Sequence, residues 1–196
     1  REGGVVSLRD LIEMVEKAAL ARLDEAQIAT DYPPEERQRI AHQVGIAALK
    51  FGDLHANRTS DYVFDLDRFS SFEGKTGPYL QYAAVRIRSL LRKAQERDLA
   101  GGAVLPPQVE AERNLVLELL QFPEAVWRAV DTRCPPHLAE YAYGLAGVFN
   151  RFYDACHVLS EPDADRQASW LTLCRLTLDT LVRSLYLLGI EVPERM

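Results

Sequence analysis

Lysine is scarce in this 196-residue chain: of 23 basic residues only Lys17, Lys50, Lys75 and Lys93 are lysines, so its cationic chemistry is arginine chemistry. Cysteine is scarcer. Cys134, Cys156 and Cys174 are odd in number, far apart and never a C-x-x-C pair, which speaks against a disulfide framework and a structural zinc site. No run approaches the roughly 18 apolar residues of a membrane span, and nothing at the start has the pattern of a signal peptide. No membrane partner and a cytoplasmic setting are therefore expected. Repeats with a period of 20 to 50 residues and low-complexity tracts are missing too. The four histidines, His42, His55, His137 and His157, have no partner at metal-ligand or triad-like spacing, so no catalytic or metal residue is assigned. Positive charge is also short. A net charge of −6 argues against sequence-independent attraction to phosphates, although clustering can override the sum.

With 47% hydrophobic and 27% charged residues, the chain falls in the globular range and can bury one substantial core. Its apolar residues recur at helical period. Ser7-Leu8-Arg9-Asp10 has the spacing of a capping box, and Leu11, Val15, Ala18 and Ala19 follow, which predicts a helix over about 8 to 28. Pro34-Glu35-Glu36 opens a second, carrying Ile40, Val44, Ala48 and Phe51 on one face. Residues 52 to 76 read as a structured connection with little regular helix, and Pro78 starts a long helix reaching about 98. Shorter helices are expected near 107 to 121 and from Pro123 to Val130. Two long ones follow, about 136 to 158 and 163 to 188, the last closed by Gly189. The fold class is all-α, a helical bundle. At the other end, Arg1 and Glu2-Gly3-Gly4-Val5-Val6 read as the second half of a hairpin, and the chain is expected to be a piece of something longer.

Four places could carry chemistry. Gly74-Lys75-Thr76-Gly77 lacks the earlier glycine of a phosphate loop and follows no suitable strand, so nucleotide binding is not assigned to it. Asp65 and Asp67, two apart, could hold a divalent cation or cap a turn. On the helix after Pro78, Tyr79, Tyr82 and Arg86 fall at i, i+3 and i+7, with Lys93 and Arg97 further along. Tyrosines edged by cations suit unstacked bases and phosphates, and they suit an ordinary solvated face as well. The helix from about 136 offers a similar set: Tyr143, Gly147, Asn150, Asp154 and His157, with Arg151 and Tyr153 nearby. Gly147 costs about 1 kcal/mol against alanine inside a helix, which hints at close approach of another helix or a ligand.

Three strings carry a resemblance: Phe51-Gly52-Asp53-Leu54, Asn57-Arg58-Thr59-Ser60-Asp61-Tyr62-Val63-Phe64-Asp65, and Gly74-Lys75-Thr76-Gly77-Pro78-Tyr79-Leu80-Gln81-Tyr82-Ala83. Together they resemble a signature block of arginyl-tRNA synthetases. Phe152-Tyr153 with Cys156, Val158 and Leu159, and then Leu188-Gly189-Ile190 and Met196, look like that family's C-terminus. The resemblance implies a class I synthetase whose catalytic Rossmann domain precedes this region. Residues 1-30 would be the end of that domain after its KMSKS-like loop, with a linking helix. Residues 31-196 would be a helical DALR domain that holds the anticodon stem-loop of tRNA(Arg). The full enzyme would use ATP and Mg²⁺ to attach arginine. This piece, lacking the HIGH-type motif and the arginine pocket, is expected to be inactive alone, to bind no cofactor and to be monomeric. By the same resemblance anticodon contacts fall on Tyr153 and Met196, with Asn150 and Arg151 as neighbours, and tRNA lies near Tyr79, Gln81 and Tyr82. Arg86 joins them from its helix face. One departure is visible, since Ala84 stands where the family often has histidine after Gln-Tyr-Ala. A second reading is a stand-alone helical protein-interaction module derived from a synthetase.

Overall fold

The structure, a computed structural model, describes residues 6–57 and 65–196. The hairpin reading of residues 1–5 and positions 58–64 of the signature block lie outside the described residues. Eight α-helices and one 3-10 turn make up the regular structure of the described residues: α1 (Leu8–Glu25), α2 (Pro34–His55), α3 (Leu66–Phe69), α4 (Gly77–Gln95), α5 (Glu110–Leu120), α6 (Phe122–Asp131), α7 (Pro136–Ala155), the turn Val158–Ser160, and α8 (Ala164–Leu187). Among the described residues no helix is long and apolar enough to cross a membrane.

Local chemistry sets the boundaries. Ser7 caps α1 by accepting from Asp10 N at 3.2 Å, and Asp163 caps α8 by accepting from Asp165 N and Arg166 N. Helix α1 stops at Glu25, three residues short of the expected end. There Gln27 and Ala29 turn left-handed at φ 55° and 54°, and Ile28 N donates back to Leu23 O. Helix α5 begins at Glu110, later than expected, with Val109 still extended at φ −122°, ψ 154°. Helix α7 ends at Ala155, where the Cys156 backbone turns extended at φ −115°, ψ 105° while Cys156 and Val158 both stay buried in the core. In the connection, Asp65 caps the single turn α3 through Arg68 N, and Asp67 pairs with Arg22. The two aspartates therefore serve a cap and an ion pair. Among the described residues no group of three or more His, Cys, Asp or Glu could hold a metal ion.

One core joins α2, α4, α5, α7 and α8 around Phe51, Leu80, Leu145, Phe149, Phe152 and Leu181. A second, smaller one joins α1 and α2 through Ala19, Leu23, Ile40 and Val44. Both helix crossings on α2 are backbone-close. A Cβ at Gly77 would stand 2.2 Å from Ala47 O, and one at Gly45 would stand 3.1 Å from the backbone of Val15 and Glu16. Nothing larger than glycine fits the first of these without a shift.

Candidate nucleic-acid interface

The start of α4 is fixed by Thr76. Its hydroxyl accepts from Tyr79 N at 3.1 Å and donates to Ser71 O at 2.6 Å, so the first turn of α4 is tied to the connection before it. This orientation sends Tyr79 toward α7. There Asn150 Nδ2 donates to the Tyr79 hydroxyl at 2.9 Å, and the Tyr79 and Tyr143 rings meet at 5.6 Å. Burial, then the neighbouring Tyr143, raises the Tyr79 hydroxyl's pKa, against a smaller opposing effect of Asn150 and two arginines. The phenol stays neutral and able to donate. Lys75 stands 5.7 Å from the centre of the Tyr143 ring and pairs with Glu140.

Two turns along α4, the Arg86 guanidinium lies 4.5 Å from the centre of the Tyr153 ring, a cation–π contact. Tyr153 is half-buried, and its other ring neighbour is Phe149 at 6.1 Å. Beside it a groove of about 190 Å³ is lined by Leu90, His157, Val158 and Ser160. Cys156 also borders this groove. Burial first, then Glu112 and Glu161, pushes its thiol up to about 11, so it is not a nucleophile at neutral pH.

The structure thus brings together Tyr79, Arg86, Asn150 and Tyr153, from two helices, as one aromatic and cationic surface extended by Tyr143 and Lys75. Arg151, exposed, borders it. The other anticipated residues go elsewhere. Tyr82, 41% exposed, leans on Phe72 at 6.2 Å, away from α7. Gln81 is fully buried and donates from Nε2 to Gln43 O at 3.1 Å and Glu191 O at 2.6 Å, so it ties the C-terminal segment to α2. Met196 packs on the α1–α2 core, in a different apolar cluster from Tyr153. Arg86, which touches Tyr153, and Arg88, whose Nη1 donates to Val192 O at 3.3 Å, are two residues and so about 200° apart around α4. Gly147 has no helix against it. A Cβ there would meet only Arg151 Nη1, at 3.8 Å, so helix packing does not explain the glycine. Lys75 is the member the sequence hid, because its side of the connection depends on how α4 crosses α7.

The model of the DALR anticodon binding domain matches residues 80–196. The chain belongs to the DALR anticodon-binding domain family. Upstream, the class I tRNA synthetase (R) catalytic domain model matches residues 1–66. The whole chain is 50% identical to 33% of an arginine–tRNA ligase of Maricaulis maris, and 48% identical to 33% of one of Hyphomonas neptunium. The chain therefore spans about a third of the length of these curated relatives. Among solved structures, an arginyl-tRNA synthetase of Thermus thermophilus superposes with a TM-score of 0.86 at 34% identity, over all of this chain and 33% of that one. That of Plasmodium falciparum gives 0.84 at 28%, over 98% and 34%. The surface of α4 and α7 just described thus lies within the segment that matches the DALR domain, except for Lys75 and Tyr79, which directly precede it.

Proposed function

We propose that this DALR domain grips the anticodon arm of tRNA(Arg), with Tyr153 as the platform on which a loop base stacks. The observation that carries the reading is the convergence of Arg86 on Tyr153 and of Asn150 on Tyr79. A ring, a cation and an amide with spare hydrogen-bonding capacity sit together at a helix seam, the combination that reads splayed single-stranded bases. Asn150 gives one N–H to Tyr79, leaving its second N–H and its carbonyl for a base edge. The relatives' names support arginine tRNA as the partner. Arg151 and the exposed Tyr82 are then flanking contacts, Gln81 a support for the C-terminal segment, and Met196 a contact made from the α1–α2 side. The whole protein, in this reading, is a monomeric cytoplasmic arginine–tRNA ligase that uses ATP and Mg²⁺. By the resemblance, both would be held by parts of the longer protein outside this chain.

The test is the affinity of this chain and of Tyr153→Ala for an arginine-tRNA anticodon stem-loop and for one with a scrambled loop, at fixed moderate salt. Preferential binding of the first, lost by about 1 to 3 kcal/mol in the variant, is expected. Equal, negligible binding to both would refute anticodon reading by this chain.

A further inference from the structure

Helices α4 and α8 leave a groove of about 520 Å³ between them, on the flank of α4 away from Tyr153. Arg88, Arg175 and Arg183 line it, with Asp179 one turn from each of the last two and Tyr186 76% exposed at its end. Arg175 also lines an adjoining groove of about 650 Å³ that continues along α4 to Gln95. Arg88 is anchored on Val192 O and Pro193 O. Among the described residues no hydrogen bond or ion pair engages Arg175, Arg183 or the nearby Arg92, and none joins Asp179 to either neighbour. In a chain of net charge −6, three arginines and one aspartate lining the groove, with Arg92 exposed one turn beyond Arg88 on α4, are a local reversal of sign.

We infer that this α4–α8 seam is a second RNA-contacting surface, in which Arg92, Arg175 and Arg183 hold phosphates of the strand whose loop reaches Tyr153. This rests on the reading given under Proposed function. Charge complementarity supplies the sign, and the residue type supplies the ligand: guanidinium forks match phosphate oxygens in pairs, whereas compact ammonium groups would serve a diffuse acidic surface equally well. Arg175 and Arg183 are eight residues apart, about 12 Å along α8, so they can engage different phosphates. The exposed Tyr186 adds a ring on which a base can rest. Continuity comes from α4 itself. Around α4 Arg88, Arg92, Lys93 and Arg86 succeed one another, so a backbone crossing this helix meets four cations between the arginine seam and the Tyr153 platform, with Glu96 as the helix's own carboxylate on that arc. The seam reads charge and spacing, and base identity is left to the other flank.

The experiment is a salt titration of the full 196-residue chain with the anticodon stem-loop, the scrambled-loop control and poly-glutamate. Arg175→Gln/Arg183→Gln should weaken both RNAs by the same factor and make the slope of log affinity against log salt shallower by about 1.4 to 1.8, two phosphate contacts' worth. Arg175→Lys/Arg183→Lys should restore most of the slope. Tyr153→Ala should do the reverse, losing loop preference and keeping the slope. An unchanged slope in the glutamine variant, beside normal loop preference in the parent, overturns the inference and leaves the Tyr153 reading intact. Poly-glutamate bound as tightly as RNA through the same arginines would make the seam a protein-docking surface instead. No RNA binding by the parent chain would sink both readings.

Discussion

Glu112 and Arg166 form an ion pair at 3.0 Å with side chains 1% and 8% exposed, and replacing them singly or together separates two accounts of its role. Arg166 Nη1 also donates to Pro106 O at 2.9 Å, and the other Glu112 oxygen accepts from Gln108 N at 2.9 Å, so the pair clamps the segment before α5 onto α8. In Glu112→Leu a buried guanidinium is left with one carbonyl, and Gln108 N loses its acceptor. Arg166 Nε, already buried without a partner, adds to that burden. The cost should be about 3 to 5 kcal/mol, a large share of the roughly 5 to 15 kcal/mol that holds a domain together. Arg166→Met should cost a similar amount near neutral pH. The double variant removes both charges and fills the space with apolar atoms. It should lie within about 2 kcal/mol of the parent and above either single variant, a coupling of several kcal/mol. Urea unfolding followed by far-UV circular dichroism measures all four proteins. Single costs below about 1 kcal/mol, or costs that simply add, would show that water reaches the pair and that the clamp is not a buried one.

Gly77→Ala should cost several kcal/mol or prevent folding, because its Cβ meets the Ala47 carbonyl, a backbone atom that no rotamer change can move; the urea midpoint reports it. Gly147→Ala should stabilise by about 0.5 to 1 kcal/mol, since only Arg151 is near, and any accompanying loss of RNA affinity would show that the glycine leaves room for a ligand. His55, stacked on Phe51, has its pKa lowered, chiefly by burial and then by Lys75. Above the free-imidazole value near 6.5 it is neutral folded and unfolded and makes no difference to stability. As pH falls through that value the unfolded chain takes up the proton first, so stability should fall between about pH 7 and 5. His55→Gln should flatten that part of the profile, and an identical profile would refute the assignment.

The bundle was legible because its apolar residues keep helical period and its ends carry caps: Ser7, the prolines at α2, α4 and α7, and Gly189 are all local signals. What failed was geometry decided elsewhere in the chain. Spacing put Tyr79, Tyr82 and Arg86 on one face of α4, yet the crossing with α7 takes Tyr79 and Arg86 one way while Phe72 takes Tyr82 another. The family resemblance set Gln81 beside the tRNA with Tyr79 and Tyr82. Gln81 is buried because two carbonyls from α2 and the C-terminal segment wait for its donors, and neither is visible from the local pattern. Glu112 and Arg166 were indistinguishable from solvated charges, since their partner lies 54 positions away.

The two glycine crossings on α2 have a mechanical consequence. Helix α2 is 22 residues, about 33 Å, long. It touches α1 backbone to backbone at Gly45 and α4 at Ala47. Side-chain contacts are compliant, since a rotamer hop can absorb an ångström; these crossings rest chiefly on backbone atoms, which have no rotamer to change. A tilt imposed on α1, which lies in the stretch matching a catalytic domain, is therefore handed across two residues of α2 to the first turn of α4, where Tyr79 sits. Helix α2 is the stiff rod of that coupling, and Gly45 on α2 itself and Gly77 on α4 are its bearings without play.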